Sequence, residues 1–175
     1  MTIYYIAAWT ATGLITGTGR TQEAALVPSG AIVCTQAQAE SPSLYAVVDG
    51  VVVQSLAGYQ SAQSILLRQS YASANAADIS FTDSAGVTDT YQCGPASILN
   101  LQNCLSAFRA AAAVPSGFYW RSSTNNNNPF SYADLVGLAT AAANRGFTNF
   151  AQLQTLLAEI QAATTVADVQ AVVWP

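Results

Sequence analysis

The amino-acid sequence predicts an α+β protein, in which a small antiparallel β module precedes a domain of one β-hairpin and several short helices. Three observations lead to this prediction. β-branched and aromatic runs separated by turn residues fill the first 57 or so positions, helical spacing of apolar residues begins near residue 58, and two N-cap signatures stand close to the C-terminus. We therefore assign residues 1–57 to a β-rich N-terminal module and residues 58–175 to an α+β domain.

The N-terminal module is predicted to be a β-meander that ends in a tight hairpin. β-branched and aromatic residues predict strands at residues 3–9, 14–16 and 31–35. Two further runs, Leu44–Val48 and Val51–Gln54, flank Asp49-Gly50. Asp-Gly between two apolar runs is the strongest short-range signal for a hairpin.

A helix and a second hairpin follow. Residues 59–75 are rich in Gln, Ala and Leu, and their apolar residues have helical spacing, namely Ala62, Ile65, Leu66 and Tyr71. The hairpin is predicted from the short segments 79–82 and 87–91 on either side of Asp83-Ser84-Ala85-Gly86. Its inward-facing residues are predicted to be Phe81, Val87 and Tyr91.

The remaining segments are predicted to be mainly helical. A helix from Pro95 to Ala112 has Pro in its first turn and an apolar stripe of Ile98, Leu101, Leu105 and Phe108. After an aromatic strand at residues 118–122 and a polar loop at Asn125–Asn128, three short helices are predicted to begin at the caps Ser131, Thr148 and Thr165. The first of these is predicted to end at Arg145-Gly146, and the second to have Phe150, Leu153, Leu157 and Ile160 on one face.

The composition excludes several classes of function. The chain has no histidine and no lysine, its five basic residues are all arginines, and nine acidic residues give a net charge of −4. Catalysis by Ser-His or Cys-His pairs and imidazole metal sites are therefore excluded, and a basic surface for nucleic acid is missing. Paired carboxylates remain as the accessible catalytic chemistry. Most aspartates, however, stand in turns or at helix N-termini, so we expect a protein that is not an enzyme and has no cofactor.

The cysteines and the N-terminal residues indicate the cellular compartment that we expect for the protein. The chain has an odd number of cysteines, Cys34, Cys93 and Cys104, and no CxxC motif. We therefore expect buried free thiols in a protein made in a reducing cytosol. A Cys93–Cys104 disulfide is the alternative. The apolar start has no positive charge before Arg20, which is a poor match to a secretory signal. No apolar run is long enough to predict insertion into a membrane.

Several sequence elements in the C-terminal two-thirds stand in a characteristic order. They are residues 81–88 (FTDSAGVT), 90–92 (TYQ), 100–102 (NLQ), 115–121 (PSGFYWR), 129–135 (PFSYADL), 146–147 (GF) and 162–169 (AATTVADV). Over roughly residues 60–175, this order resembles a domain-of-unknown-function family of bacteriophage and prophage tail proteins, whose members are found in the neighbourhood of tail fibres. The resemblance implies a virion protein that is made in the host cytoplasm. It assigns no catalytic residues to this chain.

The resemblance and the low charge together predict a structural component of a phage tail, at the fibre or the baseplate. Its partners would be other tail proteins and copies of itself, as a trimer or hexamer, and residues 1–57 would dock or oligomerise. A tail-fibre assembly chaperone is the first alternative. A receptor- or glycan-binding module of the fibre, which would contact the host surface, is the second.

Four residues are candidates for a ligand or interface surface: Tyr119, Trp120, Asn126 and Asn127. Aromatic rings can stack on sugars, and asparagine amides can bind their hydroxyls. The competing interpretation is that Phe118 and Trp120 alternate into the core with Tyr119 at the rim, and that the asparagines form a turn. Arg121 and Arg145 are expected to make surface ion pairs with Asp134 or Glu159.

Overall fold

The computed structural model describes residues 2–175, and these residues confirm the predicted α+β class. They are 48% helix and 23% strand. Met1, the first residue of the predicted β module, lies outside the described residues. By compactness, the chain forms two units, of which the first contains residues up to 67 together with 156–175, and the second contains residues 68–155. The functional boundary at residue 57 stays a prediction.

The first unit contains a three-stranded antiparallel sheet with β1 (Ile3–Trp9) at its centre. Strand β2 (Ile15–Thr21) pairs with one side of β1, and strand β3 (Ile32–Cys34) pairs with the other. The predicted meander is therefore wrong, although its strands exist. A long connection with a 3-10 turn at Ala24–Leu26 separates β2 from β3, so the chain reaches the free edge of β1 instead of folding back on β2.

A separate hairpin of β4 (Tyr45–Val48) and β5 (Val51–Gln54) confirms the Asp-Gly prediction. Asp49 and Gly50 both have positive φ, at 51° and 76°, as the turn requires. Gly13 has to be glycine because a Cβ there would lie 2.4 Å from the carbonyl oxygen of Val47. The resulting small core consists of Ile6, Ile15 and Val47.

Helices α1 (Gln36–Glu40), α2 (Leu56–Ala76) and α5 (Val166–Ala171) contribute to the first unit. The side-chain amide of Gln60 donates to the carbonyl oxygen of Ile160 (3.0 Å), and that of Gln63 donates to Val172 (2.7 Å). Helix α2 was predicted correctly, but Ile65 and Leu66 are exposed and Leu67 is the buried residue. The predicted cap of α5 is confirmed, because the Thr165 hydroxyl accepts from the Asp168 amide.

The second unit is built around two hairpins and two helices. Strands β6 (Ile79–Thr82) and β7 (Thr88–Tyr91) form the first hairpin, and β8 (Tyr119–Arg121) and β9 (Asn127–Pro129) form the second. Helix α3 spans Pro95–Phe108. The core residues of this unit are Tyr91, Leu101, Phe130, Leu135 and Leu138.

Two predicted details of this unit are wrong. Val87 is exposed, because it lies in the turn before β7 instead of in the strand. Helix α3 ends at Phe108 instead of Ala112, whose φ is +46°. The stretch that follows leads to Val114-Pro115, and a residue before proline is disfavoured in the helical region.

Helix α4 (Tyr132–Ala162) replaces two of the three predicted C-terminal helices. The Ser131 cap is confirmed, but the predicted break at Arg145-Gly146 and the predicted cap at Thr148 are wrong. The Thr148 hydroxyl donates to the carbonyl oxygen of Asn144 (3.1 Å) within the helix. A single glycine costs a helix only about 1 kcal/mol, so Gly146 does not end one that is well packed.

The predicted apolar face of the second of these helices is confirmed only in part. Leu153 and Ile160 are buried, and Leu157 is half-buried. Phe150 is exposed. Leu156 is buried although it was not predicted, because α4 continues in one register through the expected break.

The three cysteines are free thiols, as predicted, but only Cys93 is buried, whereas Cys34 and Cys104 are half-buried. None of the helices in residues 2–175 combines the length and the apolar character needed to span a bilayer.

Because α4 is continuous, we expect replacement of glycine by alanine to change the free energy of unfolding in opposite directions at two of its positions. A methyl group at Gly146 would meet no atom within 4 Å, whereas one at Gly137 would lie 2.9 Å from the ring of Phe81. We expect Gly146→Ala to raise the free energy of unfolding by about 1 kcal/mol. Gly137→Ala should lower it, since overpacking a core costs about 1–3 kcal/mol.

Urea unfolding of both variants and the parent chain measures these differences. Gly137→Ala is the matched control for helix propensity, because the helix and the substitution are the same. A loss of stability in Gly146→Ala would mean that α4 is not continuous through residue 146.

Candidate functional site

The β8–β9 hairpin presents two faces of different character. Tyr119 pairs with Pro129, and Arg121 pairs with Asn127. These four residues are exposed, and we call them the outer hairpin face. Side chains directly opposite on antiparallel strands lie about 5 Å apart. Tyr119, Arg121 and Asn127 therefore form one contiguous patch of aromatic, cationic and amide groups.

Only two of the four sequence-predicted residues belong to this patch. Tyr119 and Asn127 lie on the outer hairpin face. Trp120 points to the opposite side, where it packs with Phe118 against the core at a ring-centroid distance of 6.5 Å. The predicted alternation is thus confirmed, because Phe118 and Trp120 are half-buried against the core while Tyr119 is exposed.

Asn126 is the fourth predicted residue, and its amide is occupied by Asp89 on β7. Its Nδ2 donates to Asp89 Oδ2 at 3.1 Å, and Nδ2 of Asn128 donates to the same oxygen at 3.0 Å. The Thr124 hydroxyl donates to Asp89 Oδ1 at 3.1 Å. The backbone amide of Thr90 adds a further bond to Oδ1 at 2.8 Å.

These bonds lower the pKa of Asp89 well below its usual range. The hydrogen bonds from Asn126 and then Asn128 are the largest causes, followed by the backbone amide of Thr90. Hydrogen bonds to the ionised form favour ionisation. Asp89 is therefore a permanently anionic acceptor near neutral pH, and it is unsuited to donating a proton.

Asn128 extends this network into the core. Its Nδ2 also donates to the hydroxyl oxygen of Tyr91 at 2.8 Å, and both side chains are buried. Burial raises the pKa of the Tyr91 hydroxyl, while the bond from Asn128 opposes that rise. The two hairpins are also joined through the backbone, because the Ser123 amide donates to the Thr90 carbonyl at 2.8 Å.

The Asn125–Asn128 segment therefore differs from the predicted polar loop. Asn125 has φ +67°, as asparagine in a turn permits, but Asn127 and Asn128 belong to β9. Within this segment, the Asn127 side chain points outward, whereas the side-chain amides of Asn126 and Asn128 bind Asp89. A signal for this was present in the sequence, since Asp89 has the same strand parity as the inward-facing Tyr91.

Asp134 forms a second hydrogen-bonded centre at the N-terminus of α4. Its Oδ2 accepts from the Ser131 amide at 2.8 Å, and the Ser131 hydroxyl accepts from the Asp134 amide at 3.2 Å, as the N-cap signature predicts. The sequence did not indicate that Oδ1 also accepts from the Ser84 amide at 2.7 Å, nor that Oδ2 accepts from the Ser84 hydroxyl. Burial alone would raise the pKa of Asp134, but the bonds from Ser131 and Ser84 outweigh it and lower the pKa.

The predicted ion pairs of Arg145 with Asp134 or Glu159 are replaced by hydrogen bonds to backbone carbonyl oxygens. The guanidinium donates to Asn75 at 2.6 Å and to Asp78 at 3.2 Å. Both acceptors lie at or just after the C-terminal end of α2, where a cation is favoured by the helix dipole. Within residues 2–175, no three Cys, Asp or Glu side chains are grouped as they would be around a metal ion.

Comparison with known proteins identifies the family of the chain. A family model described as a domain of unknown function, DUF4376, matches residues 63–173, and the chain belongs to this family. No curated protein and no solved structure matches it. The match covers the whole second unit. The outer hairpin face and both aspartate centres therefore lie within the family domain. The family description assigns no function, and the association with phage tails stays a prediction.

The hydrogen bonds of Asp89 predict a specific loss of stability in acid. Because folding lowers the pKa of Asp89, its contribution is fully present above the unfolded value of about 3.9 and decreases as the pH falls below it. We expect Asp89→Asn to flatten the dependence of the unfolding free energy on pH below about 4. Urea titrations at a series of pH values between neutral and strongly acidic measure the slope.

Asp49→Asn is the control, because it removes one negative charge from an exposed turn. Its φ of 51° is also well tolerated by asparagine. If Asp89→Asn retained the full acid slope of the parent chain, the network would not be what holds the carboxylate ionised.

Proposed function

We propose that this DUF4376 protein is a structural component of a bacteriophage tail, at the fibre or the baseplate, and that it acts by packing against other proteins. The observation that carries this proposal is the number of large apolar side chains at the surface of a weakly charged chain. Only 8% of the residues are charged, against about 25% in an average soluble domain. Surfaces of this kind are favoured where they are covered in an assembly.

In the first unit, several of the exposed apolar residues lie on edge strands or hairpins. Val33 of the edge strand β3 is 65% exposed, and Val51 at the start of β5 is 60% exposed. Edge strands leave backbone groups unpaired and are templates for pairing with another chain. This supports a docking or oligomerising role for the N-terminal β module, with other tail proteins and further copies of the chain as partners.

The assignment to a phage tail rests on the ordered motifs of residues 81–169 and their resemblance to tail-associated proteins. A virion location follows from that assignment, with synthesis in the cytoplasm of the host. The proposed function is non-enzymatic. The hydrogen bonds that keep two carboxylates ionised support this part of the proposal. Asp89 and Asp134 both serve as fixed acceptors inside hydrogen-bond networks.

A tail-fibre assembly chaperone is the competing function that the same surface would suit. A chaperone also covers apolar surface, but it leaves before the virion matures. The two functions differ in where the protein is found, and the first test separates them.

Purified virions of the phage or induced prophage that encodes the chain provide the test. We expect quantitative mass spectrometry to find the chain in the virion, at a copy number divisible by three or six. Absence from virions, together with a complex with fibre C-termini in the lysate, would exclude the structural function and favour the chaperone.

A second test uses the purified protein. We expect sedimentation velocity to show concentration-dependent association, which Val33→Thr combined with Val51→Thr should weaken, because threonine keeps the β-branched shape and removes apolar area. The control is Val136→Thr, which makes the same substitution at an exposed position of helix α4 and not on a strand. Val52→Thr is unsuitable because that side chain is half-buried. A protein that stays monomeric at high concentration and binds no tail protein would contradict the proposal.

The outer hairpin face supports a second candidate function, in which the chain binds a host receptor or glycan. Tyr119 is 52% exposed, and its neighbours on the same face are Arg121 and Asn127. An exposed aromatic ring beside hydrogen-bonding groups suits the apolar face and the hydroxyls of a sugar.

Binding of the labelled, isolated protein to host cells tests this second function. We expect Tyr119→Ala and Asn127→Ala to reduce binding about tenfold or more, if each removes a contact of about 1.4 kcal/mol. Phe147→Ala removes an exposed aromatic ring from α4 and serves as the control. Equal binding by all three variants would exclude the outer hairpin face as the receptor site.

A further inference from the structure

One face of the β4–β5 hairpin is built from aliphatic side chains and is open to solvent. Val47 and Val52 point inward, to the small core of the first unit. The residues that alternate with them point the other way, in the cross-strand pairs Ala46–Val53 and Val48–Val51. A single bridge between Leu14 and Ala46 adds a fifth side chain beside them. We call these five residues the aliphatic face: Leu14, Ala46, Val48, Val51 and Val53.

The aliphatic face exposes an unusual amount of apolar surface. Val51 is 60% exposed, Leu14 is 55%, Val48 is 50% and Val53 is 39%. Together these side chains expose on the order of 300 Å² of contiguous surface, the size of the largest apolar patch on a typical monomer. The solvent face of an antiparallel sheet usually consists of polar residues. A face of this composition therefore indicates that another surface covers it.

A second copy of the chain has the chemistry to cover the aliphatic face. None of the five residues is charged, so two identical faces can approach without repulsion between them and without removing an ion from water. Aliphatic side chains of two sheets interdigitate when the sheets pack face to face, about 10 Å apart. A strongly polar partner would find no hydrogen-bonding side chain among the five.

The charge of the turn favours one arrangement of two copies. Asp49 is exposed in the turn, at one end of the aliphatic face. If the turns lay over each other, the two carboxylates would be close together and would repel. If the strands run antiparallel, each turn lies over the open end of the other hairpin, about 13 Å away along a four-residue strand. Val51 of one copy then lies over Val53 of the other, and Val48 lies over Ala46.

We propose that the aliphatic face packs against the same face of a second copy, about a twofold axis that runs across the strands. The inference rests on the proposed function, because it identifies the surface through which copies of the chain associate. Two such faces bury about 600 Å² in total, against about 1,200–2,000 Å² in a stable complex. The contact is therefore weak alone and gains strength where symmetry repeats it. Because it joins copies in pairs, it forms in a hexamer and not in an isolated trimer.

Two NMR measurements on the full chain test this contact. Amide shifts are recorded at protein concentrations from about 10 µM to about 1 mM, and we expect saturable shifts on β4 and β5 with a dissociation constant in this range. Isotope-filtered NOEs in an equal mixture of labelled and unlabelled chains then identify the contacts between copies. We expect methyl contacts between Val51 and Val53 of different copies, and none between Val48 and Val51 of different copies.

Substitutions by threonine test which side chains drive the association. Val48→Thr combined with Val53→Thr removes apolar area from the aliphatic face and keeps the β-branched shape. We expect this variant to weaken association about tenfold or more. Val33→Thr, on β3 of the other sheet, and Val136→Thr, on α4, are the controls. Both should leave the dissociation constant unchanged, and the amide spectrum of each variant shows whether it is folded.

The proposal is overturned if the parent chain shows no concentration-dependent shifts up to about 1 mM, or if the Val48→Thr, Val53→Thr variant associates as the parent does. Weaker association of Val33→Thr would place the contact at the edge of β3 instead. Contacts between Val48 and Val51 of different copies would overturn the twofold axis across the strands. All these outcomes leave the proposed role in a phage tail open, because the copy number in virions tests that role independently.

Discussion

The second unit depends on aspartates that are held by neutral donors instead of by cations. The chain has five arginines and no lysine against nine acidic residues, so few of its carboxylates can be neutralised by ion pairs. A buried or half-buried carboxylate must then be satisfied by amides and hydroxyls. Asp89 and Asp134 follow this rule on both carboxylate oxygens, with bonds from backbone amides and from Ser, Thr and Asn side chains. Asp83 follows it on Oδ1 only, because its Oδ2 is buried without a hydrogen-bond partner within residues 2–175.

Each aspartate joins segments that would otherwise be independent. Asp83 closes its own turn by accepting from Ala85 and Val87. Asp134 ties that turn to the start of α4, and Asp89 ties the first hairpin to the second. Two-stranded hairpins have little stability alone in water. These bonds, together with the packing of Tyr91 on Phe130 at 5.2 Å between ring centroids, therefore give both hairpins a fixed place.

Local signals in the sequence were sufficient for the turns and the caps. Asp49-Gly50 specifies a turn with its own two residues, and Ser131 with Asp134 specifies a helix start within four positions, so both could be predicted. The sheet order could not be, because the pairing of β3 with β1 depends on where a long connection leads. The single helix α4 was missed because glycine and threonine weaken a helix only modestly, while tertiary contacts such as those of Arg145 outweigh that preference.

The candidate site shows the same division between local and distant information. The alternation of side chains along a strand was enough to place Tyr119 and Trp120 on opposite faces, because adjacent residues of a strand point to opposite sides. The role of Asn126 and Asn128 depends on Asp89, which is 37 and 39 positions away in the chain, and no spacing rule connects them. The parity of Asp89 with Tyr91 marks it as inward-facing, but only the fold shows which amides it meets.

The use of neutral donors inside the protein also explains the character of its surface. Asn, Ser and Thr satisfy the aspartates without adding positive charge, so the chain folds with very few ionised side chains. The same composition leaves its sheet edges without lysines, and the edge strand β3 without any charged residue of the kind that usually prevents strands of different molecules from pairing. Val33 on an edge strand and Val51 on a hairpin consequently lie in a surface with little electrostatic protection. An interior built on neutral hydrogen bonds thus accompanies a weakly charged surface of the kind that the proposed assembly would cover.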